Sequence, residues 1–138
     1  MSHPDFAPRF DTDIVRPYWD AIARGELQLP ACSVCGKWQW YPFDFVKCHE
    51  GAQHAWRRVA NTGTVFTFTI VHRGFLPNAQ PKAPPYVSAL VEIDAVPGAR
   101  IPTLLVNLGG QRPRIGMRVR LAPLPRTGYT APAFEPLP

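Results

Sequence analysis

The pattern of hydrophobic and polar residues becomes strand-like after residue 63. Residues 64–71 are rich in β-branched and aromatic side chains, and Phe66, Phe68 and Ile70 fall on one face of an alternating pattern. A period of two is typical of a half-buried strand. Short strands separated by turns that contain Gly and Pro predict a small barrel or sandwich. About five strands are predicted, at 64–71, 86–93, 103–108, 118–121 and 129–134, the last at a sheet edge because it contains Pro132.

The first part of the chain has a different pattern. Residues 16–25 predict a short helix, because Pro17 suits the first helical position and Gly25 the site just past the end. Tight turns and aromatic residues then surround three cysteines up to about residue 56. We therefore expect a mainly β protein with an N-terminal helical segment at 1–26, a small cysteine-bearing unit at 27–57 and a five-stranded barrel or sandwich at 58–138.

Composition and charge limit the class of protein. Hydrophobic residues make up 46% of the 138 residues and charged residues 18%, which is typical of a globular chain. The sequence contains neither an apolar run of about 20 residues, as a membrane-spanning helix requires, nor a secretory signal. We therefore expect a cytoplasmic protein without a membrane partner, in which thiols stay reduced or bind metal.

The positive charge is concentrated in the second half of the chain. Residues 1–56 carry five Lys or Arg against seven Asp or Glu, and residues 57–138 carry ten against three. A basic domain can bind nucleic acid, a phosphate-bearing cofactor or an acidic partner, and charge alone does not separate these. Residues 76–85 contain four prolines and predict an extended loop that would be ordered only against another surface.

The cysteines have the spacing of a metal-binding knuckle. Cys32 and Cys35 are separated by two residues and followed by Gly36, so both thiolates can reach one ion on a tight turn. Cys48 follows after twelve intervening residues. A ribbon normally supplies a second pair at that point, but Gly51 occupies the position of the fourth cysteine.

Three nearby residues are candidates for the missing ligand: His54, His49 and Glu50. We favour His54, because a Cys-x5-His arm has room to fold back, whereas His49 beside Cys48 would strain a shared site. The predicted zinc ligands are thus Cys32, Cys35, Cys48 and His54. Two alternatives stay open: a metal-free ribbon packed by Trp38, Trp40, Tyr41 and Phe43, and a redox pair of Cys32 and Cys35, which lacks the surrounding βαβ pattern of such sites.

The ordered set of motifs resembles the DUF35 family. The similar segments are Pro17-Tyr18-Trp19-Asp20, Gly25-Glu26-Leu27, the knuckle Cys32-Ser33-Val34-Cys35-Gly36, Pro42, Cys48, the strand from Gly63 to Arg73, Pro85-Tyr86-Val87, Ala89-Leu90-Val91-Glu92 and the turn Ile115-Gly116-Met117-Arg118-Val119.

This resemblance implies a helix, a rubredoxin-like zinc ribbon and an OB-fold in an accessory subunit of a thiolase, a thiolase-like aldolase of steroid breakdown or an acyltransferase. The zinc would be structural, and the catalytic residues would belong to the partner. The accessory subunit would help to shape the passage for an acyl-CoA thioester.

No catalytic set is recognisable in the sequence, since none of the four histidines accompanies a nucleophile or paired carboxylates. Basic residues on predicted loops are candidates for contacts with the CoA phosphates: Arg73, Lys82, Arg112 and Arg114. We expect a homodimer or a hetero-oligomer. The alternatives are a module that binds single-stranded nucleic acid, in which strand aromatics would stack on bases, and a stand-alone acyl-CoA hydrolase.

Overall fold

The computed structural model describes residues 12–72 and 85–138, which form one helix and nine strands. The predicted loop at 76–85 lies outside these residues apart from Pro85, as do Arg73 and Lys82. The elements are α1 (Arg16–Ala23), β1 (Gln28–Cys32), β2 (His54–Arg58), β3 (Thr62–Val71), β4 (Tyr86–Ile93), β5 (Arg100–Leu105), β6 (Arg118–Leu121), β7 (Leu124–Arg126), β8 (Tyr129–Ala131) and β9 (Ala133–Pro136).

The predicted helix is confirmed as α1. A proline lies in its first turn, and Tyr18, Ala21 and Ile22 are buried along one side. The helix ends at Ala23 and is capped by Arg24, whose backbone N–H donates to the Ala21 carbonyl at 2.9 Å. Gly25 then takes a φ of +79°, a conformation that favours glycine. Within the described residues, no helix is long and apolar enough to cross a membrane.

The five-stranded barrel is also confirmed. Strands β3, β4, β5, β9 and β6 are hydrogen-bonded in that order, and the sheet closes on itself. All neighbours are antiparallel except β5 and β9, which run parallel. Strands β3, β4 and β5 are consecutive neighbours, and the last strand, β9, is inserted between β5 and β6. This order is that of the Greek-key barrel of an OB-fold.

The strand predicted at 129–134 differs from the observed structure. It divides at Pro132 into β8, which pairs with β7, and β9, which lies between β5 and β6 inside the closed barrel. The placement of this segment at a sheet edge was therefore wrong. Pro132 cannot donate to a neighbouring strand, but its carbonyl accepts a hydrogen bond from Thr103 Oγ1 at 2.9 Å, which fixes the crossing between the two strands.

A β-bulge corrects the predicted face of β3. Val65 pairs with Val91 and Thr67 pairs with Leu90, so Phe66 is an extra residue without a partner on β4. The bulge turns Phe66 outward, where 43% of the residue is exposed. Phe68 and Ile70, beyond the bulge, still pack against the core as predicted.

One hydrophobic core joins the barrel, the helix and strand β1. The Trp40 indole N–H also donates to the Arg100 carbonyl at 3.1 Å, and the Trp40 and Tyr18 ring centroids are 5.2 Å apart. These contacts fix the cysteine-bearing segment to the barrel. The fully buried residues of the core include Ile22, Leu27, Val65, Val91, Ile101, Val119 and Phe134.

Candidate metal centre and adjoining surface

The first two cysteines lie on a tight turn at the end of β1. The Gly36 N–H donates to the Cys32 carbonyl at 2.9 Å, and the Val34 N–H lies 3.3 Å from the Cys32 sulfur. Gly36 has a φ of +75°, and a Cβ added there would meet the Arg57 guanidinium at 2.7 Å. The backbone angle therefore favours glycine at position 36, whereas the flexible Arg57 side chain could move aside for a larger residue.

The third cysteine lies on a second turn, at residues 47–51. Gly51 has a φ of +77° in this turn. The Gln53 N–H donates to Ser33 Oγ at 3.0 Å, and the Ser33 N–H donates to the Gln53 carbonyl at 2.9 Å. These two bonds hold the two turns beside each other, which brings Cys48 to the first pair of cysteines.

Four side chains meet between the two turns. The ligand atoms of Cys32, Cys35, Cys48 and His49 all lie within 4.8 Å of one another. The Cys35 and Cys48 sulfurs are 3.5 Å apart, and His49 Nδ1 lies 3.4 Å from the Cys48 sulfur and 3.6 Å from the Cys32 sulfur. A tetrahedral zinc ion would place two sulfurs about 3.8 Å apart and a sulfur and an imidazole nitrogen about 3.5 Å apart. The donor set and its spacing therefore fit a zinc ion.

The fourth residue of this cluster is His49, whereas the sequence favoured His54. The expected strain between Cys48 and His49 is absent, because the backbone turns at 47–51 and both side chains can face the same point. His54 begins β2 opposite Cys32, but its Nε2–H donates to the Phe43 carbonyl at 2.7 Å. The structure therefore does not bring His54 into the cluster, and His49 takes its place in our assignment.

The cluster favours the thiolate form of one sulfur. Burial opposes ionisation of Cys32, but the backbone N–H groups of Cys35 and Val34 and the two other thiols lower its pKa to about 6. Burial and hydrogen bonds with Cys32 and Cys35 raise the pKa of Cys48 to about 11. Thiolate is the form of cysteine that binds metal, and a divalent cation would displace the protons that the three sulfurs share.

The chain between the two turns displays aromatic side chains. We call residues 41–47 the aromatic loop. Tyr41, Phe43 and Phe45 are 56%, 40% and 58% exposed, while Pro42 and Val46 are buried. The Phe43 and Phe45 rings stack with centroids 5.7 Å apart. The metal-free alternative, in which Tyr41 and Phe43 pack a small core, is not supported by this exposure.

Side-chain hydrogen bonds fix the shape of the aromatic loop. The Gln39 amide donates to the Phe45 carbonyl at 3.1 Å and accepts from the Lys47 N–H at 2.9 Å. The His54 bond to the Phe43 carbonyl supports the same loop from β2. These three bonds satisfy backbone groups of the loop with side chains, since no neighbouring strand pairs with it in the described residues. His54 thus has a structural role that spacing along the sequence could not indicate.

The predicted phosphate contacts are only partly described. Arg112 and Arg114 are both exposed on the segment between β5 and β6. Arg73 and Lys82 lie outside the described residues. The four residues therefore remain a proposed set. One cation that the sequence did not single out, Arg100, lies 3.9 Å from the Phe66 ring centroid and pairs with Glu92 at 3.3 Å.

The barrel and the cluster together define an OB-fold protein with a thiol and imidazole cluster in an N-terminal ribbon. A family model described as the C-terminal OB-fold domain of ChsH2 matches residues 56–122, a range that contains β3 to β6. No curated protein sequence matches the chain.

Two solved structures extend the similarity beyond the barrel. A chain of the structure described as the Ltp2-ChsH2(DUF35) aldolase is 26% identical, with a TM-score of 0.76 over 94% of this chain and 98% of that chain. A DUF35 protein of unknown function from Sulfolobus solfataricus is 11% identical, with a TM-score of 0.63 over 94% of this chain and 89% of that one. These similarities confirm the predicted resemblance to the DUF35 family.

Proposed function

We propose that this chain is a non-catalytic accessory subunit of a thiolase-like enzyme and helps that enzyme to bind or channel an acyl-CoA substrate. The observation that carries the proposal is the similarity over 94% of the chain to a protein whose structure is described as an Ltp2-ChsH2(DUF35) aldolase. The similarity includes the ribbon as well as the barrel, so it supports a common mode of assembly for the whole chain.

The metal centre supports a structural rather than a catalytic role. Cys32, Cys35, Cys48 and His49 offer four protein ligands, which would fill a tetrahedral coordination sphere. A catalytic zinc ion requires an open position for water or substrate. In this proposal the zinc ion contributes folding energy to the ribbon and no chemical step.

The contact with the acyl-CoA is the less direct part of the proposal. Arg73, Lys82, Arg112 and Arg114 could neutralise the phosphates of CoA at the edge of a channel in the partner. In the reconstituted complex, Arg73→Ala should weaken acyl-CoA binding, and an unchanged dissociation constant would contradict this assignment.

The test is purification of the chain from its native cells, without chelators, followed by identification of the companion chain. We expect a thiolase-like subunit in a defined stoichiometry. The purified chain alone should not turn over acyl-CoA, whereas adding it should raise the stability or activity of that subunit. Thioester turnover by the chain alone, or a companion of another class, would refute the proposal.

A second candidate function is the binding of single-stranded nucleic acid. The exposed Phe66 beside Arg100 resembles the pairing of aromatic and cationic groups on which OB-folds stack bases. Salt-dependent binding of the purified chain to oligonucleotides would favour this function.

A further inference from the structure

Extensive apolar exposure is concentrated in the aromatic loop. Its Tyr41, Phe43 and Phe45 rings follow one another at alternate positions. Elsewhere in the described residues, the large exposed side chains Ile14, Val34, Phe66, Tyr86 and Ile115 are separated along the chain. Aromatic rings that are exposed and held rigid cost little conformational entropy on binding, which is why they dominate the energetics of protein interfaces.

Charged side chains of both signs lie on and beside the loop, since Asp44 and Lys47 are both exposed members of it. Lys47 Nζ lies 4.6 Å from the Phe43 ring centroid, and the Arg57 guanidinium lies 5.1 Å from the Trp38 ring centroid. Lys37 and Lys47 line a shallow pocket beside Trp38. Within the described parts of the chain, none of these three cations forms an ion pair with a carboxylate. The complementary surface is therefore an apolar patch with charged groups of both signs at its rim.

The metal centre closes the segment that carries the loop. Cys35 precedes it, Cys48 follows it, and their sulfurs are 3.5 Å apart. Between residues 33 and 53 only Pro42 and Val46 are buried, so this segment has little core of its own to fix its shape. An ion shared by Cys35 and Cys48 would fix both ends of the segment, while Gln39 and His54 hold its interior.

We propose that the aromatic loop and its flanking cations are the docking surface for the thiolase-like partner, and that the loop is competent to dock only when the metal site is filled. The partner surface that it fits is apolar, with charged groups of both signs at its rim. This inference rests on the proposed function. It adds the surface that binds the partner and the requirement that the metal site be filled.

The test measures the dissociation constant of the zinc-loaded chain and the thiolase-like subunit identified by co-purification. The Phe43→Ser, Phe45→Ser double variant should weaken binding roughly 30-fold or more, as expected when aromatic hot spots are lost. The matched control is Ile115→Ser, which removes a side chain from a residue that is 68% exposed on the barrel, and it should bind within about twofold of wild type. Zinc content and thermal midpoint confirm that both variants are folded.

The metal arm uses the unaltered chain. Removing zinc with a chelator should weaken binding by a factor similar to that of the double variant, and adding zinc back should restore it. Footprinting of residues 41–47 should show protection when the partner is added, which tests the surface without any substitution.

The outcomes separate the two proposals. If the thiolase-like subunit binds the wild type and the double variant equally, or leaves residues 41–47 unprotected, this inference is overturned and the accessory role stands. Equal binding by the zinc-free chain overturns the requirement for metal. If no thiolase-like subunit binds the wild type, the proposed docking fails together with the accessory role. If the loop instead mediates binding of a second copy of this chain, this inference alone is overturned.

Discussion

Removal of the metal should loosen the ribbon and leave the barrel intact. The ion would close a loop from Cys35 to Cys48, which contains 14 residues counted inclusively. Closing a loop of about 15 residues by a cross-link removes about 3 kcal/mol of chain entropy from the open state. The barrel has its own core around Val65, Val91 and Phe134, so the loss should be confined to the ribbon.

Native-state hydrogen exchange measures this difference amide by amide. The Lys47 N–H, bonded to the Gln39 side chain at 2.9 Å, should exchange about 150-fold faster after chelation, which is the factor that corresponds to 3 kcal/mol. The Val65 N–H, bonded to the Met117 carbonyl at 2.9 Å, is the internal control and should exchange at an unchanged rate. Equal exchange at Lys47 with and without zinc would refute the reasoning, and accelerated exchange at Val65 would show that the barrel depends on the metal.

Two further predictions concern the fourth ligand and an ion pair of the barrel. His49→Gln should lower zinc affinity by at least about 100-fold in competition with a chromophoric chelator, whereas His54→Gln should still bind one zinc ion; the reverse result would return His54 to the site. In urea titrations at pH 7, Asp94→Asn should lower the free energy of unfolding by about 1 kcal/mol. This value is smaller than the lowered pKa of Asp94 alone would give, because the Asp94–Arg118 ion pair is partly exposed. Arg118 and Thr62 lower the pKa of Asp94 to about 2. The difference in unfolding free energy between wild type and variant should therefore be complete above about pH 4 and vanish as the pH falls towards 2. A constant difference across this pH range would contradict the assignment.

The barrel strands could be predicted from the sequence because each buries one face. The period of two in β3, β4 and β6 reflects that geometry directly, and their predicted ranges lie close to those observed. The position of β9 could not be predicted in this way. Its neighbours, β5 and β6, are fixed by pairing between distant segments, and the pattern around Pro132 indicates only that a central antiparallel strand cannot continue through it.

The three cysteines of the candidate site were also predictable, because their spacing along the sequence indicates which thiols can reach one ion. The fourth member of the cluster, His49, was not. The preference for His54 assumed that adjacent residues such as Cys48 and His49 point apart, which holds for extended chain but not for the turn at residues 47–51. The available signal in the sequence was Gly51, because a glycine can adopt the positive φ that it has in this turn. Such a turn lets neighbouring side chains converge.

The exposure of the aromatic loop and the presence of the metal cluster have a common physical cause. A segment of about 20 residues cannot bury enough apolar surface to offset the entropy of ordering its backbone, so small ribbons depend on a cross-link or an ion. If a bound ion supplies that stability, Tyr41, Phe43 and Phe45 are not needed as core and can be displayed. In a metal-free ribbon the same rings would have to turn inward to stabilise it, and they would then be lost to a partner. In our proposal, the folding requirement of one short segment therefore connects the metal site to the docking surface.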